Sequence, residues 1–129
     1  AIGLAQLERI DNIHKNRSSY EKLYRNVMVS CDFEFQIDLE NRQRITWLVC
    51  LLAKNKSERD KLIDVLKANT IEARPFFYLL SEMDIYKKYS KKENSVAAKI
   101  STRGLNLPAY ESLKSLEQIE NIIKKVMKV

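Results

Sequence analysis

The 129-residue chain carries 23 Lys and Arg against 17 Asp and Glu, a net charge of +6, with 45% apolar and 31% charged residues. That is enough chain for one domain with a real core, in a composition ordinary for a globular protein. No run of 18 or more apolar residues occurs, which excludes a membrane-spanning helix from this sequence, and Cys31 and Cys50 fit no metal or redox spacing. The basic balance has two readings, a solvated lysine-rich surface or a face that attracts an anionic ligand. Cys50, inside an apolar run, reads as a buried thiol in a reducing compartment, so the cytoplasm is the expected location.

Apolar residues recur at helical spacing from the start: Leu4, Leu7, Ile10, Ile13, Tyr20, Leu23, Tyr24 and Val27. The spacing predicts one long amphipathic helix over residues 2–28, with Asp11, Lys15, Arg17 and Glu21 on its wet side. No capping residue precedes it, so the helix is expected to continue from a longer protein. Residues 29–44 read as an irregular polar connection with a short strand around Phe33 to Ile37. Ile45 to Ala53, ITWLVCLLA, has the length and composition of a central strand buried on both faces, with Trp47 in the core.

Ser57 and Asp60 resemble a capping box that opens a helix running to Ala68 and burying Leu62, Ile63, Val65 and Leu66, with a stop at Asn69. Ile71 to Phe77 reads as extended, and Pro75, lacking an N–H, requires an edge or a strand end. Residues 78–92 read as a loop with one or two turns. A short helix from Asn94 to Thr102 is expected to close on Gly104 as a left-handed cap, followed by a short strand from Leu105 to Leu107. Ser115 and Gln118 open a last helix that buries Leu116, Ile119, Ile122, Ile123 and Val126. The order predicts an α/β fold, a two-layer sandwich of a small sheet packed with helices.

Little of the chemistry of catalysis is present. The lone histidine, His14, sits in the first helix with no Cys or carboxylate cluster for zinc and no nucleophile elbow for a triad. Two glycines cannot build a phosphate loop. Glu34 and Asp38 read as solvated acids. What remains is a candidate ligand-facing edge. Arg74 offers a planar fork of donors suited to phosphate or carboxylate, and Phe76, Phe77, Tyr78, Tyr86 and Tyr89 crowd into fourteen residues. The plainer alternative is that the two phenylalanines pack between sheet and helix while Arg74 makes a surface ion pair.

Three segments in order, AIGLAQLERID, ITWLVCLLA followed by SERDKLIDVLKANTIEARPFF, and GLNLPAYESLKSLEQIENI, cover essentially the whole chain. Together they resemble the C-terminal small domain of the DegT/DnrJ/StrS-type PLP-dependent nucleotide-sugar aminotransferases. Within that family, RPFFY followed by a Met and a Tyr is most similar to perosamine-synthase-like members. The resemblance implies that residues 1–129 form a small domain and that residues 1–28 continue from a large PLP-binding domain. It implies pyridoxal phosphate as cofactor, held by a lysine of that large domain, and glutamate as amino donor. The substrate it implies is a nucleotide-linked keto sugar for cell-surface polysaccharide synthesis. It also implies a homodimer.

Arg74, Phe76, Phe77, Ser81 and Tyr86, with Asn106 less strongly, are the residues expected to wall the substrate; none is expected to hold cofactor or metal. Where many relatives read Pro-Leu-His this chain has Leu79, Leu80 and Ser81, so any imidazole role there is lost. Asn69 and Thr70 stand where a glycine often turns helix into strand, and Asn tolerates that left-handed turn. Taken alone, the chain is expected to be inactive. A stand-alone basic module for RNA or an acidic protein, or a dimerisation domain, is the competing reading. The chain lacks the signatures of RNA-recognition folds, and no nucleic-acid or membrane partner is expected.

Overall fold

A computed structural model describes residues 1–29, 31–90, 95–110 and 116–127. In chain order the elements are helices α1 (Ile2–Leu7) and α2 (Ile10–Val27), strands β1 (Glu34–Phe35) and β2 (Val49–Leu52), and helix α3 (Lys56–Ala68). Strand β3 (Arg74–Pro75), a 3-10 turn (Leu80–Glu82), helices α4 (Asp84–Lys87) and α5 (Ser95–Arg103), strand β4 (Gly104–Leu107) and helix α6 (Leu116–Met127) complete it. The sheet has the order β1-β2-β4-β3, and every pair is antiparallel.

The sheet has one covered face and one largely open face. Register sets Val49 opposite Leu107 and Leu51 opposite Leu105. These four side chains point at the helices and form the core with Tyr20, Tyr24 and Met28 of α2, Leu62 and Leu66 of α3, and Ile119 and Ile123 of α6. Each such aliphatic side chain contributes about 1.5–3 kcal/mol by leaving water. Their neighbours in sequence, Cys50 and Leu52, point the other way and stay half-buried, as period-two alternation requires. The sandwich is therefore as predicted, and Pro75 lies on the edge strand where its missing N–H is tolerated.

Several local expectations are corrected. The first helix is two: Glu8 and Arg9 interrupt it, and α1 buries no residue. Six residues with nothing to pack against gain no tertiary support for the helix. The run from Ile45 to Ala53 is a strand only from Val49, and Ile45 and Trp47 are 60% and 65% exposed rather than core. Apolar composition was the only signal there, and it cannot say whether a facing layer exists. Helix α3 is capped by Asn55, whose carboxamide oxygen accepts from the Glu58 N–H at 3.0 Å while its amide donates to Glu58 Oε1 at 3.2 Å. Ser57 and Asp60 therefore lie inside the helix, Ser57 two residues past the cap. Val65 and Leu116 are half-exposed. The opening of α6 at Ser115 and the burial of Val126 lie outside the described residues.

The end of α3 has a Schellman pattern: Ile71 N–H donates to Leu66 O at 2.9 Å and Thr70 N–H to Lys67 O at 3.0 Å. Thr70, with φ of 62°, rather than Asn69, takes the left-handed position. Gly104 is extended strand, not a left-handed cap. What demands glycine is space, since a Cβ there would overlap the ring of Phe76. The Phe76 N–H donates to Gly104 O at 3.0 Å, so the two backbones cannot separate.

Glu21, expected on the wet face of α2, is buried. It accepts from Arg25 at 2.8 Å, from Arg44 at 2.7 Å and from the Thr46 hydroxyl. Both arginines also donate to Gln36 O, and Arg44 pairs with Asp38. This network staples the irregular segment 36–46 to α2. Burial alone would raise the Glu21 carboxyl, but Thr46, Arg25 and Arg44 outweigh it and hold it below the ordinary 4.5.

Two outcomes follow for stability. Gly104→Ala should cost about 1–3 kcal/mol by overpacking. In a denaturant double-mutant cycle that cost should largely vanish on a Phe76→Ala background. Glu21→Gln should cost about 1–3 kcal/mol at neutral pH. A depressed carboxyl stabilises above its unfolded value and loses the contribution as pH falls through the folded one, so the two urea midpoints should converge below about pH 4.5.

Candidate functional site

The open face is where the predicted residues meet. Cys50 stands opposite Asn106, and Asn106 opposite Arg74, so one row crosses β2, β4 and β3 on the uncovered side. The Cys50 thiol donates to Asn106 Oδ1 at 3.2 Å, and burial pushes the thiol above its ordinary 9.0. Helix α5 roofs one end of the face. Ser101 Oγ donates to Phe77 O at 3.0 Å, which ties α5 to the segment after β3. Arg59, on α3, donates to Ser101 O at 3.3 Å, and its other donors are engaged by Asp60.

Two of the clefts on this face meet. The first, about 530 Å³, is lined by Ile45, Trp47, Cys50, Phe76, Ile100 and Asn106 among others, and among the described residues no charged residue lines it. The second, about 390 Å³, is lined by Arg17, Trp47, Glu72, Arg74, Phe77 and Tyr110 among others. Trp47, Leu48, Phe77 and Asn106 belong to both, so the clefts join into one groove.

Phe76, Phe77 and Asn106 line the first cleft, and Arg74, Phe77 and Asn106 line the second. Phe77 is 75% exposed, whereas Phe76 is half-buried against Gly104, so packing and lining both describe it. Arg74 makes the surface ion pair of the plainer reading, with Glu72 at 2.6 Å, while its guanidinium remains at the cleft. Ser81 and Tyr86 line neither cleft; they sit in the 3-10 turn and in α4, further along the loop. Trp47, Arg17 and Tyr110 were missed as site residues. Trp47 was hidden by its apolar neighbours, and Arg17 and Tyr110 by lying far from the aromatic cluster in sequence.

Among the described residues the groove has no lysine along it, and its first cleft has no cation. The described residues therefore do not fit a PLP site on their own: no amine is placed to condense with the aldehyde and no cation to hold the phosphate in the larger cleft.

Residues 1–127 match the DegT/DnrJ/EryC1/StrS aminotransferase family. This chain belongs to that family. It is 32% identical to the GDP-perosamine synthase of Vibrio cholerae over 129 residues, covering 96% of this chain and 35% of the relative. It is 33% identical to the GDP-perosamine synthase of Escherichia coli O157:H7, covering 98% and 34%. The chain thus spans about a third of the length of these relatives. Among solved structures it superposes on an aminotransferase from Streptoalloteichus hindustanus with a TM-score of 0.84 at 15% identity, covering 98% of this chain and 35% of that one. A sugar aminotransferase from Streptococcus pneumoniae, solved in PLP and PMP forms, gives 0.80 at 18% identity, covering 98% of this chain and 33–34% of that one. These structures share the fold, and pyridoxal phosphate is the cofactor of the family.

If Trp47 is a wall of the groove rather than part of the core, its removal is cheap. In the 129-residue chain, Trp47→Ala should change stability by less than about 1 kcal/mol, while Leu51→Ala costs about 2–5 kcal/mol. Comparison of their urea midpoints checks this, and equal losses would return Trp47 to the core.

Proposed function

We propose that this chain is the small domain of a PLP-dependent aminotransferase that transfers an amino group from glutamate to a nucleotide-linked keto sugar of the perosamine type. The observation that carries the reading is the uncovered sheet face: a row of polar groups on rigid strands, flanked by exposed Trp47 and Phe77, in a chain about a third as long as its relatives. Strands hold such groups more precisely than loops do. The reactive lysine and the phosphate-holding groups belong to the remainder of the longer protein, from which α1 and α2 continue. A homodimer in the cytoplasm is part of the same proposal.

In this reading the chain's own residues bind and orient. Arg74 presents a fork of donors to an oxyanion. Trp47 and Phe77 offer ring faces to a sugar or base and exclude water from the groove. The Asn106 carboxamide, anchored by Cys50, offers its amide hydrogens to a hydroxyl. Ser81 and Tyr86 would act from the loop rim, outside the two clefts. The cofactor, when bound by the longer protein, supplies the electron sink for amino transfer.

The longer protein with pyridoxal phosphate should show a visible absorption band that glutamate converts to the amine form. The purified 129-residue chain should transfer no amino group. Absence of the band in the longer protein overturns the aminotransferase reading, and turnover by the short chain overturns its role as a partner domain.

A further inference from the structure

We propose that the second cleft is an oxyanion site in which Arg17 acts together with Arg74. It rests on the reading of the open face as ligand-facing and says which end of the ligand goes where. Four other arginines are engaged within the chain: Arg25 and Arg44 by Glu21, Arg59 by Asp60, and Arg103 by Ala53 O and Glu34. Arg17 is half-buried on α2 and, among the described residues, makes no hydrogen bond or ion pair. A guanidinium that has lost part of its water without gaining a protein partner is poised for an external anion. Among the described residues Arg74 is held only by Glu72, in an exposed pair that is worth little and exchanges readily.

The cleft is assembled rather than incidental. Tyr24, fully buried on α2, donates its hydroxyl to Pro108 O at 3.0 Å and so pins the segment after β4 onto the helix that carries Arg17. Arg17 lies two turns before Tyr24, and Tyr110 lies two residues after Pro108, which is why both line one cleft. Counting Arg17, Arg74 and Glu72, the described lining carries one net positive charge. Trp47, Phe77 and Tyr110 add flat ring surface, and about 390 Å³ holds more than a bare ion. Among the described residues the adjoining first cleft has no charged lining residue. The groove is thus polarised: a phosphate or carboxylate lies by Arg17 and Arg74, and the uncharged body of the ligand extends past Asn106 towards Cys50 and Ser101.

The test uses the longer protein and two probes, inorganic pyrophosphate for a phosphate source and glutarate for a carboxylate source, with affinities from calorimetry at fixed salt. R17Q and R74Q should each weaken at least one probe by about tenfold, the loss of one charge-assisted contact. R17K should retain part of the affinity, because it keeps the charge and loses the fork. A loss confined to pyrophosphate assigns the site to a phosphate, and a loss confined to glutarate to a carboxylate. Unchanged affinity for both probes in R17Q overturns the proposal. If R17Q does not fold, unchanged affinity in R74Q, whose residue is exposed, overturns it equally. The probes need no cofactor, so failure here is separable from the absence of a PLP band.

Discussion

The antiparallel pairing of β2 with β4 is the constraint on which the rest depends. Its register puts Val49, Leu51, Leu105 and Leu107 on one face and Cys50, Asn106 and Gly104 on the other. A slip of β4 by one residue against β2 would turn Asn106 into the helix layer and Leu105 and Leu107 into the groove. Core and site are therefore two consequences of one register. The stability of the first holds the geometry of the second, because the same backbone hydrogen bonds carry both. Gly104 belongs to the same constraint: the β3–β4 approach leaves room for the Phe76 ring only where no Cβ stands.

Ionic and polar ties do what the small core cannot. The segment from Gln36 to Thr46 has no regular structure, yet it delivers Ile45 and Trp47 to the groove. Glu21 holds it through Arg25, Arg44 and Thr46, the carboxylate being satisfied on both oxygens. Arg103 bonds to Ala53 O and pairs with Glu34, which joins the end of α5 to β1 and to the end of β2. Among the described residues no buried side-chain polar atom lacks a partner, as a network that fixes one arrangement requires. Such ties favour a unique loop path more than they add net stability.

The layers were legible in the sequence because they rest on periodicity. Leu62 and Leu66, Ile119 and Ile123, and Tyr20 and Tyr24 recur at helical spacing, and each pair is core. Pro75 gave the edge strand through its missing N–H. What was not legible depends on distant partners. Trp47 and Leu51 look alike in the run ITWLVCLLA, yet only one meets a helix layer. Glu21 looked solvated because its partners Arg44 and Thr46 lie more than twenty residues away. Position after a helix suggests a left-handed cap at Gly104, whereas the close approach of the Phe76 ring is what demands glycine there. For the groove, Arg74, Phe76, Phe77 and Asn106 could be named from a local cluster and a family resemblance. Arg17 could not, since nothing local links it to β3.

We propose that the open sheet face is one wall of an active site completed by the rest of a longer protein. The most direct measurement is a crystal structure of that protein with pyridoxal phosphate and a nucleotide-linked sugar bound. The account predicts ligand atoms in van der Waals or hydrogen-bond contact with Phe77, Asn106 and Arg74, and the sugar nucleotide lying along the groove beneath Trp47. A ligand bound elsewhere, with this face buried against protein and all three residues out of contact with it, would contradict the account.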